Sequence, residues 1–376
     1  MNATLEILKP APDPAPAPGS TEASKPALAD DLRIREIREL VTPDTLLSEI
    51  PLTPAAAQTA QDARAAVHRI LNGQDDRLLV VVGPCSIHDP VAALDYARRL
   101  ADIRRELACS LEVVMRVYFA KPRTTIGWKG LINDPHLDGS CDINSGLATA
   151  RRLLAQVNEL GLPVGCEYLD TTVPQYISDL VAWAAIGART TESQVHRELA
   201  SGTSCPVGFK NSTAGDVQIA VDAVKSAAHP HHFMAVTKSG RSAIAATTGN
   251  PDCHVILRGG LVPNYDAASV DAACAALEAA GLRGNLMIDT SHANSRKKPE
   301  NQPLVAADIA GRIAAGEKRI TGLLIESNLV AGRQNIDAAP LTYGQSVTDG
   351  CIDWMTSLEV LRGLADAVAA RRRAKG

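Results

Sequence analysis

From residue 78 onward the chain alternates between short runs that are apolar at nearly every position and longer stretches with apolar residues every third or fourth place. The short runs are 78–82, 111–118, 163–167, 184–188, 206–210, 253–257, 285–289 and 321–325. Runs apolar on both faces belong to buried parallel strands, because a sheet with one wet side would alternate. Between most of them lie helix-length segments such as 90–108, 145–160, 175–183 and 267–280. Strands separated in this way by helices predict an α/β protein, a (β/α)8 barrel of the TIM type. A ninth run, 233–237, is followed by Lys238-Ser239-Gly240 and a second run, 242–246, with no helix before the next strand. That pattern predicts a β-hairpin, at about 233–248, inserted beside the barrel. Nine strands in an open doubly wound sheet is the competing count.

The pattern ahead of residue 78 is different. Residues 1–29 are rich in Ala and Pro, with Pro10, Pro12, Pro14, Pro16 and Pro18 in alternation, and such a leader is expected to be flexible and without ladders. Asp30 and Asp31 then precede a predicted amphipathic helix, 32–40, with Ile34, Ile37 and Leu40 on one face. A second helix is predicted over 54–71, with Ala56, Ala60, Ala63, Val67, Ile70 and Leu71 on its apolar side. Residues 30–75 therefore read as an N-terminal helical arm leading into a barrel at 76–376.

Composition narrows the function classes. Of 376 residues 45% are hydrophobic and 21% charged, with a net charge of -4, which describes a globular protein with no reason to bind nucleic acid. No apolar run approaches the roughly 20 residues that span a bilayer, and no export signal opens the chain, so a cytoplasmic protein is expected. The eight cysteines are scattered without a CxxC pair, which suits small core residues rather than a disulfide scaffold. Cys85 is the exception. The strand 78–82 stops at Gly83 and Pro84, which turn the chain and bring the thiol out at the strand's carboxyl end, where chemistry collects in α/β folds.

Other strand ends carry chemistry as well: Arg116, Glu167, Arg189, Lys210, Arg258, Asp289, His292 and Glu326. They sort into two sets. Arg116, Lys121, Arg123, Arg189, Lys210 and Arg258 form a positive ring on a net acidic protein, which implies a small, multiply anionic substrate. Cys85, His292, Glu326 and, in the loop beyond the last strand, Asp349 offer thiolate, imidazole and carboxylates. That set suits a divalent metal such as Mn, Fe, Co or Zn, a general acid/base cluster, or a cysteine with a histidine.

Six stretches carry a resemblance: 83–90 (GPCSIHDP), 121–125 (KPRTT), 127–131 (GWKGL), 187–194 (GARTTESQ), 206–211 (PVGFKN) and 289–294 (DTSHAN). They closely resemble the type I class of 3-deoxy-D-arabino-heptulosonate 7-phosphate (DAHP) synthases, from about residue 30 to the C-terminus. The resemblance implies condensation of phosphoenolpyruvate with erythrose 4-phosphate and water, giving DAHP and phosphate, the first step of the shikimate pathway. It implies one divalent ion on Cys85, His292, Glu326 and Asp349. Phosphoenolpyruvate would be held by Arg116, Lys121, Ala188, Arg189, Lys210 and Arg258, with Glu167 ordering water. Erythrose 4-phosphate would be held by Pro122, Arg123 and Thr124. Cys85, Lys121 and His292 would be catalytic, with Lys121 a candidate proton donor on the premise that neighbouring arginines lower its pKa.

The resemblance further implies an effector pocket for an aromatic amino acid at Asp30, Asp31, Pro174, Leu199, Ser204 and Phe233, and a homodimer or homotetramer. Two other readings compete: a sister enzyme that uses arabinose 5-phosphate, and a non-catalytic anion-binding barrel. Cys351, two residues from Asp349, is expected to lie close enough to Cys85 to oxidise with it when metal is absent.

Overall fold

The computed structural model describes residues 30–374, and the chain divides into two units, 1–39 and 40–376. The leader 1–29 lies outside the described residues. In the first unit, residues 32–39 are not helical as predicted; a turn with Ile34 N–H on the Asp31 carbonyl (2.9 Å) leads into irregular backbone. Leu32, Ile34 and Ile37 remain exposed there. So short a helix does not repay its nucleation unless its apolar face is buried.

The second unit opens with α1 (Pro43–Glu49) and α2 (Pro54–Leu71), capped by Thr42 and Thr53 with proline in each first turn. There follow β1 (Leu78–Gly83), α3 (Pro90–Leu107), β2 (Leu111–Arg116), α4 (Ile143–Glu159), β3 (Val164–Glu167), α5 (Pro174–Ile177), β4 (Val181–Ile186), α6 (Gln194–Ser201) and β5 (Val207–Lys210). The rest comprises α7 (Gln218–Ala227), β6 (His232–Val236), β7 (Ser242–Ala246), β8 (Cys253–Leu257), α8 (Ala267–Ala279), β9 (Leu286–Asp289), α9 (Gln302–Ala314), β10 (Ile320–Glu326) and α10 (Trp354–Arg373). Eight strands close in the order β1-β2-β3-β4-β5-β8-β9-β10, and every pairing in the barrel is parallel. The barrel is the predicted fold, and the open sheet is excluded. β6 and β7 form the separate antiparallel hairpin, with Met234 opposite Ile244.

Alternate residues of the strands face two different cores. Leu79, Val81, Val114, Trp183, Ala185, Ile256, Met287 and Leu324 fill the barrel, whereas Leu78, Val80, Val82, Val113 and Leu323 pack against the outer helices. Val67, Ile70 and Leu71 of α2 join the inner group, so α2 stoppers the floor rather than lying apart from the barrel. Arg64 ties it there through the carbonyls of Val181 (2.7 Å) and Ser178 (2.6 Å).

One predicted helix shrinks. Over 175–183 only α5 and a 3-10 turn at Ser178–Leu180 form, and β4 begins at Val181, three residues early. Burial of Trp183 inside the barrel outweighs the helical reading of this apolar stretch. Among the described residues, no helix is long and apolar enough to cross a membrane.

Candidate active site

The loop after β1 is shaped by its ends. Gly83 has φ 154°, and a Cβ there would stand 2.8 Å from the Arg116 carbonyl oxygen, so only glycine allows β1 and β2 to approach so closely. Asp89 caps α3 by accepting from the Val91 and Ala92 amides at 2.8 and 3.1 Å. Between these fixed points Cys85 is fully buried.

Three of the four expected metal donors converge: one ligand atom each from Cys85, Glu326 and Asp349 lie within 4.8 Å of one another. His292 stands beside them, its Nε2 3.9 Å from Glu326 Oε1. The His292 backbone is held at φ 55°, an uncommon conformation for a side chain of this size. Its Nδ1 lies 2.9 Å from Asp289 Oδ2 and 2.6 Å from Ser291 Oγ. A proton placed on Nδ1 by that carboxylate leaves Nε2 as an acceptor turned toward Glu326.

The donors fit a transition-metal dication by type, and they already surround positive charge. Lys121 Nζ sits 2.8 Å from Cys85 Sγ and 2.9 Å from Asp349 Oδ2. Burial, reinforced by Glu326 and Asp349, pushes the Cys85 thiol up to about 12 despite Lys121 and Arg116. Binding of a cation there must therefore release a proton. Burial opposes the Lys121 ammonium, but Cys85, Glu326 and Asp349 outweigh it and raise its pKa. The premise of a lowered Lys121 pKa is thus reversed: three acidic groups, not arginines, dominate its surroundings.

The cation ring surrounds this cluster. Arg116 is buried and donates to the Pro84 and Cys85 carbonyls (3.0 and 3.1 Å) and to Glu326 Oε1 (3.2 Å). Its guanidinium carbon lies 3.6 Å from the centre of the Tyr118 ring, and its Nη1 is buried with no partner. Lys210 Nζ donates to Asp289 Oδ2 at 2.7 Å. Among the described residues, Arg189 and Arg258 form no ion pair; Arg189 donates to Thr124 Oγ1 (3.2 Å), and burial lowers the pKa of Arg258. Glu167 reaches Gly187, where a Cβ would meet its Oε1 at 2.2 Å, and Ala188 follows in the turn that carries Arg189. Pro122, Arg123 and Thr124 lie on the loop after β2, with Arg123 exposed and its Nε on the Trp128 carbonyl at 2.7 Å.

Residues behind the site complete it. Asp289 was visible as a strand end, but not its hold on both His292 and Lys210, which keeps its own carboxyl ionised against burial. Asn211 accepts from the Arg258 amide (2.8 Å), Asn264 from the Gly259 amide (2.7 Å) and Asn294 from the Asn264 amide (2.8 Å). Asn211 and Asn294 sit inside two of the motifs, whereas nothing in the sequence marks Asn264.

Away from the mouth, Pro174, Leu199, Ser204 and Phe233 line one cavity of about 680 Å³, shared with Ala235. The structure brings these four expected effector residues together. Asp30 and Asp31 belong to the other unit and are exposed there.

Comparisons with known proteins agree with this architecture. The model of the DAHP synthetase I family matches residues 50–362. A Phe-sensitive phospho-2-dehydro-3-deoxyheptonate aldolase of Escherichia coli K12 is 59% identical over 344 residues, 91% of this chain and 98% of its own length. A Trp-sensitive phospho-2-dehydro-3-deoxyheptonate aldolase of Enterobacter agglomerans is 53% identical over 343 residues, 91% of this chain and 99% of its own. The solved structure of a phospho-2-dehydro-3-deoxyheptonate aldolase from Francisella tularensis matches with a TM-score of 0.89 at 52% identity, covering 90% of this chain and 99% of that one. Fold, motif order and relatives coincide over most of the chain, which belongs to the DAHP synthetase I family.

Proposed function

We propose that the chain is a DAHP synthase, condensing phosphoenolpyruvate with erythrose 4-phosphate and water to give DAHP and phosphate. The observation that carries this reading is the mouth of the barrel: a thiol and carboxylate donor cluster beside Arg189 and Arg258, which have no ion pair among the described residues, and the buried, unpartnered Nη1 of Arg116. The buried, unpartnered Arg116 nitrogen, with the exposed Arg189 and half-buried Arg258 guanidinium groups free of ion pairs beside it, calls for an anionic ligand.

In this reading Cys85, His292, Glu326 and Asp349 hold one divalent ion, of Mn, Fe, Co or Zn type. The ion supplies Lewis acidity toward an aldehyde carbonyl. Arg116, Lys121, Arg189, Lys210 and Arg258 bind the carboxylate and phosphate of phosphoenolpyruvate, with the Ala188 backbone beside them. Pro122, Arg123 and Thr124 receive the phosphate of erythrose 4-phosphate, and the Arg189 to Thr124 contact adjoins the two sites. Glu167 orients the water that attacks C2. The Cys85 thiol would exchange its proton for a bound cation, and the Glu326 and Asp349 carboxylates would pair with that cation, offsetting the negative charge that favours the Lys121 ammonium. Lys121 can then serve as proton donor as well as phosphate contact.

The 680 Å³ cavity is assigned to an aromatic amino acid that inhibits the enzyme, with residues 1–45 as part of the inhibitory apparatus. Inhibition by one of Phe, Tyr or Trp is expected in the full chain and lost on deleting 1–45; full sensitivity after that deletion overturns this assignment. The enzyme is placed in the cytoplasm as a homodimer or homotetramer. The reaction itself is tested by phosphate release from phosphoenolpyruvate with erythrose 4-phosphate or arabinose 5-phosphate, after EDTA and after adding back Mn, Co or Fe. Release with the four-carbon aldehyde, abolished by EDTA and restored by metal, is expected. Preference for arabinose 5-phosphate identifies the sister activity, and no release with either identifies a binding protein.

A further inference from the structure

Gln302 opens α9 and is 1% exposed, an unusual place for a glutamine amide. The Glu326 N–H donates to its Oε1 at 2.9 Å, and its Nε2 donates to the Glu326 carbonyl at 2.9 Å. Thr290 Oγ1 shares its one proton between the same Oε1 at 3.1 Å and the Leu324 carbonyl at 2.9 Å. The β9–β10 register ends with Leu324 opposite Asp289, and Thr290 N–H on the Leu324 carbonyl (2.9 Å) is the last backbone rung. Residue 326 thus lies one step beyond the ladder, and a side-chain amide, with the shape of a peptide group, pairs it as a further strand would.

The consequence reaches the donor cluster. On its other side residue 326 is tied by Ile352 N–H to its carbonyl (3.0 Å), and Ser327 N–H donates to the Gly83 carbonyl (2.9 Å). Thr290 N–H and Oγ1 both reach the Leu324 carbonyl, and beyond that point Gln302 ties residue 326 itself back to the continuation of β9, which carries His292 two residues after Thr290. We propose that Gln302 is a positioning residue for the metal centre, setting the separation of Glu326 from His292. The proposal rests on the reading of these donors as a metal site. Without the amide, residue 326 keeps its ties toward β1 and Cys85 and loses its tie toward His292, so His292 is the ligand whose contribution weakens.

The test titrates full-length, EDTA-stripped protein with Co(II), following the thiolate charge-transfer band and the ligand-field bands. The parent chain is expected to give a saturable band that Cys85→Ser removes. Gln302→Met is expected to bind Co(II) about ten- to a hundredfold more weakly, the effect typical of an outer partner of a ligand, with altered ligand-field bands and the thiolate band retained. Thr290→Val, close in shape, removes the hydroxyl's contacts with Gln302 and with the Leu324 carbonyl but leaves the Gln302 bonds to residue 326; it shifts affinity the same way by less, and carries the test should Gln302→Met fail to fold. Val305→Ala, buried in the same helix, lowers the melting temperature with affinity and spectrum unchanged. Parent-like affinity and spectrum in both Gln302→Met and Thr290→Val overturn the proposal, as does an equal change in Val305→Ala. Absence of any Cys85-dependent band in the parent chain instead overturns the metal-site reading, and this proposal with it.

Discussion

The two ends of the barrel are closed in opposite ways. At the floor, Val67, Ile70 and Leu71 of α2 press on Leu79, Val81, Val114, Met287 and Leu324, and the buried rings of Trp183 and His254 find partners. Trp183 Nε1 donates to His254 Nε2 at 3.2 Å, and the other ring nitrogen of His254 lies 3.2 Å from the Asp252 carbonyl. At the mouth, Arg116, Lys210, Asp289 and Glu326 are buried with charge, Arg116 Nη1 has no partner, and His292 sits at positive φ. Burying apolar surface with satisfied polar groups adds stability, whereas burying incompletely paired charge costs it. The floor holds the barrel together; the mouth buries charge that, on the proposed function, a bound anion and cation would pair.

The largest test of that contrast is to remove one side of the mouth. EDTA treatment, or Cys85→Ser, should lower phosphate release on the order of a thousandfold, about 4 kcal/mol of barrier. The melting temperature should not fall in proportion, because the apolar floor is untouched. Global unfolding on chelation would erase the distinction between the two ends.

The floor has its own signature, in pH. Burial pushes the His254 pKa down to about 4, against an ordinary value near 6.5. The unfolded chain therefore binds the proton first as pH falls, so the neutral form contributes stability that is full above about 6.5 and lost progressively down to about 4. The difference corresponds to about 3 kcal/mol. Urea unfolding free energies should decline across that window, and His254→Gln should remove most of the decline. An equal slope in the variant would assign the pH dependence to the mouth instead.

A smaller effect sharpens the mouth itself. Lys121→Arg keeps the charge but not a proton that can be released, so it should leave phosphoenolpyruvate affinity nearly unchanged and lower kcat by about a hundredfold. Unchanged kcat would rule out proton transfer and leave Lys121 a purely electrostatic contact.

The sequence made these two ends unequally legible. Strand periodicity marked all eight barrel strands, because runs such as Val80-Val81-Val82 have no other stable place than a two-faced core. Charged residues at the strand ends stood out against those runs, so Cys85, Arg116, Lys210 and Glu326 could be read in advance. The floor could not: the three-and-four spacing of α2 suits any buried helix face, and nothing in it names the barrel as its partner. The continuous apolar run from Leu180 to Ile186 concealed where β4 begins for the same reason. Gln302 and Asn264 were invisible because their roles depend on neighbours up to 53 positions away in the chain, such as Asn211. The acidic surroundings of Lys121 were not legible because motif spacing shows which cations share a loop, not which anions fold over them.

The slightest expected change, two thiols of eight, joins the mouth to its redox chemistry. Cys351 is buried, and the Cys85 backbone hydrogen-bonds its sulfur, so the two cysteines adjoin as expected. Both thiols are held protonated, Cys351 by burial and then by Cys85 itself, and only a thiolate reacts readily. A bound cation would occupy Cys85 Sγ; once EDTA removes it, dioxygen can take two electrons and two protons from the pair, leaving a Cys85–Cys351 disulfide and hydrogen peroxide. Aerobic EDTA treatment should therefore cost two titratable thiols, faster at alkaline pH, where both thiolates become accessible. Dithiothreitol should restore the thiols, and Cys351→Ser should prevent the loss. An unchanged thiol count would mean that the protonated pair is kinetically protected, and that the mouth keeps its donors ready for a cation without a redox liability.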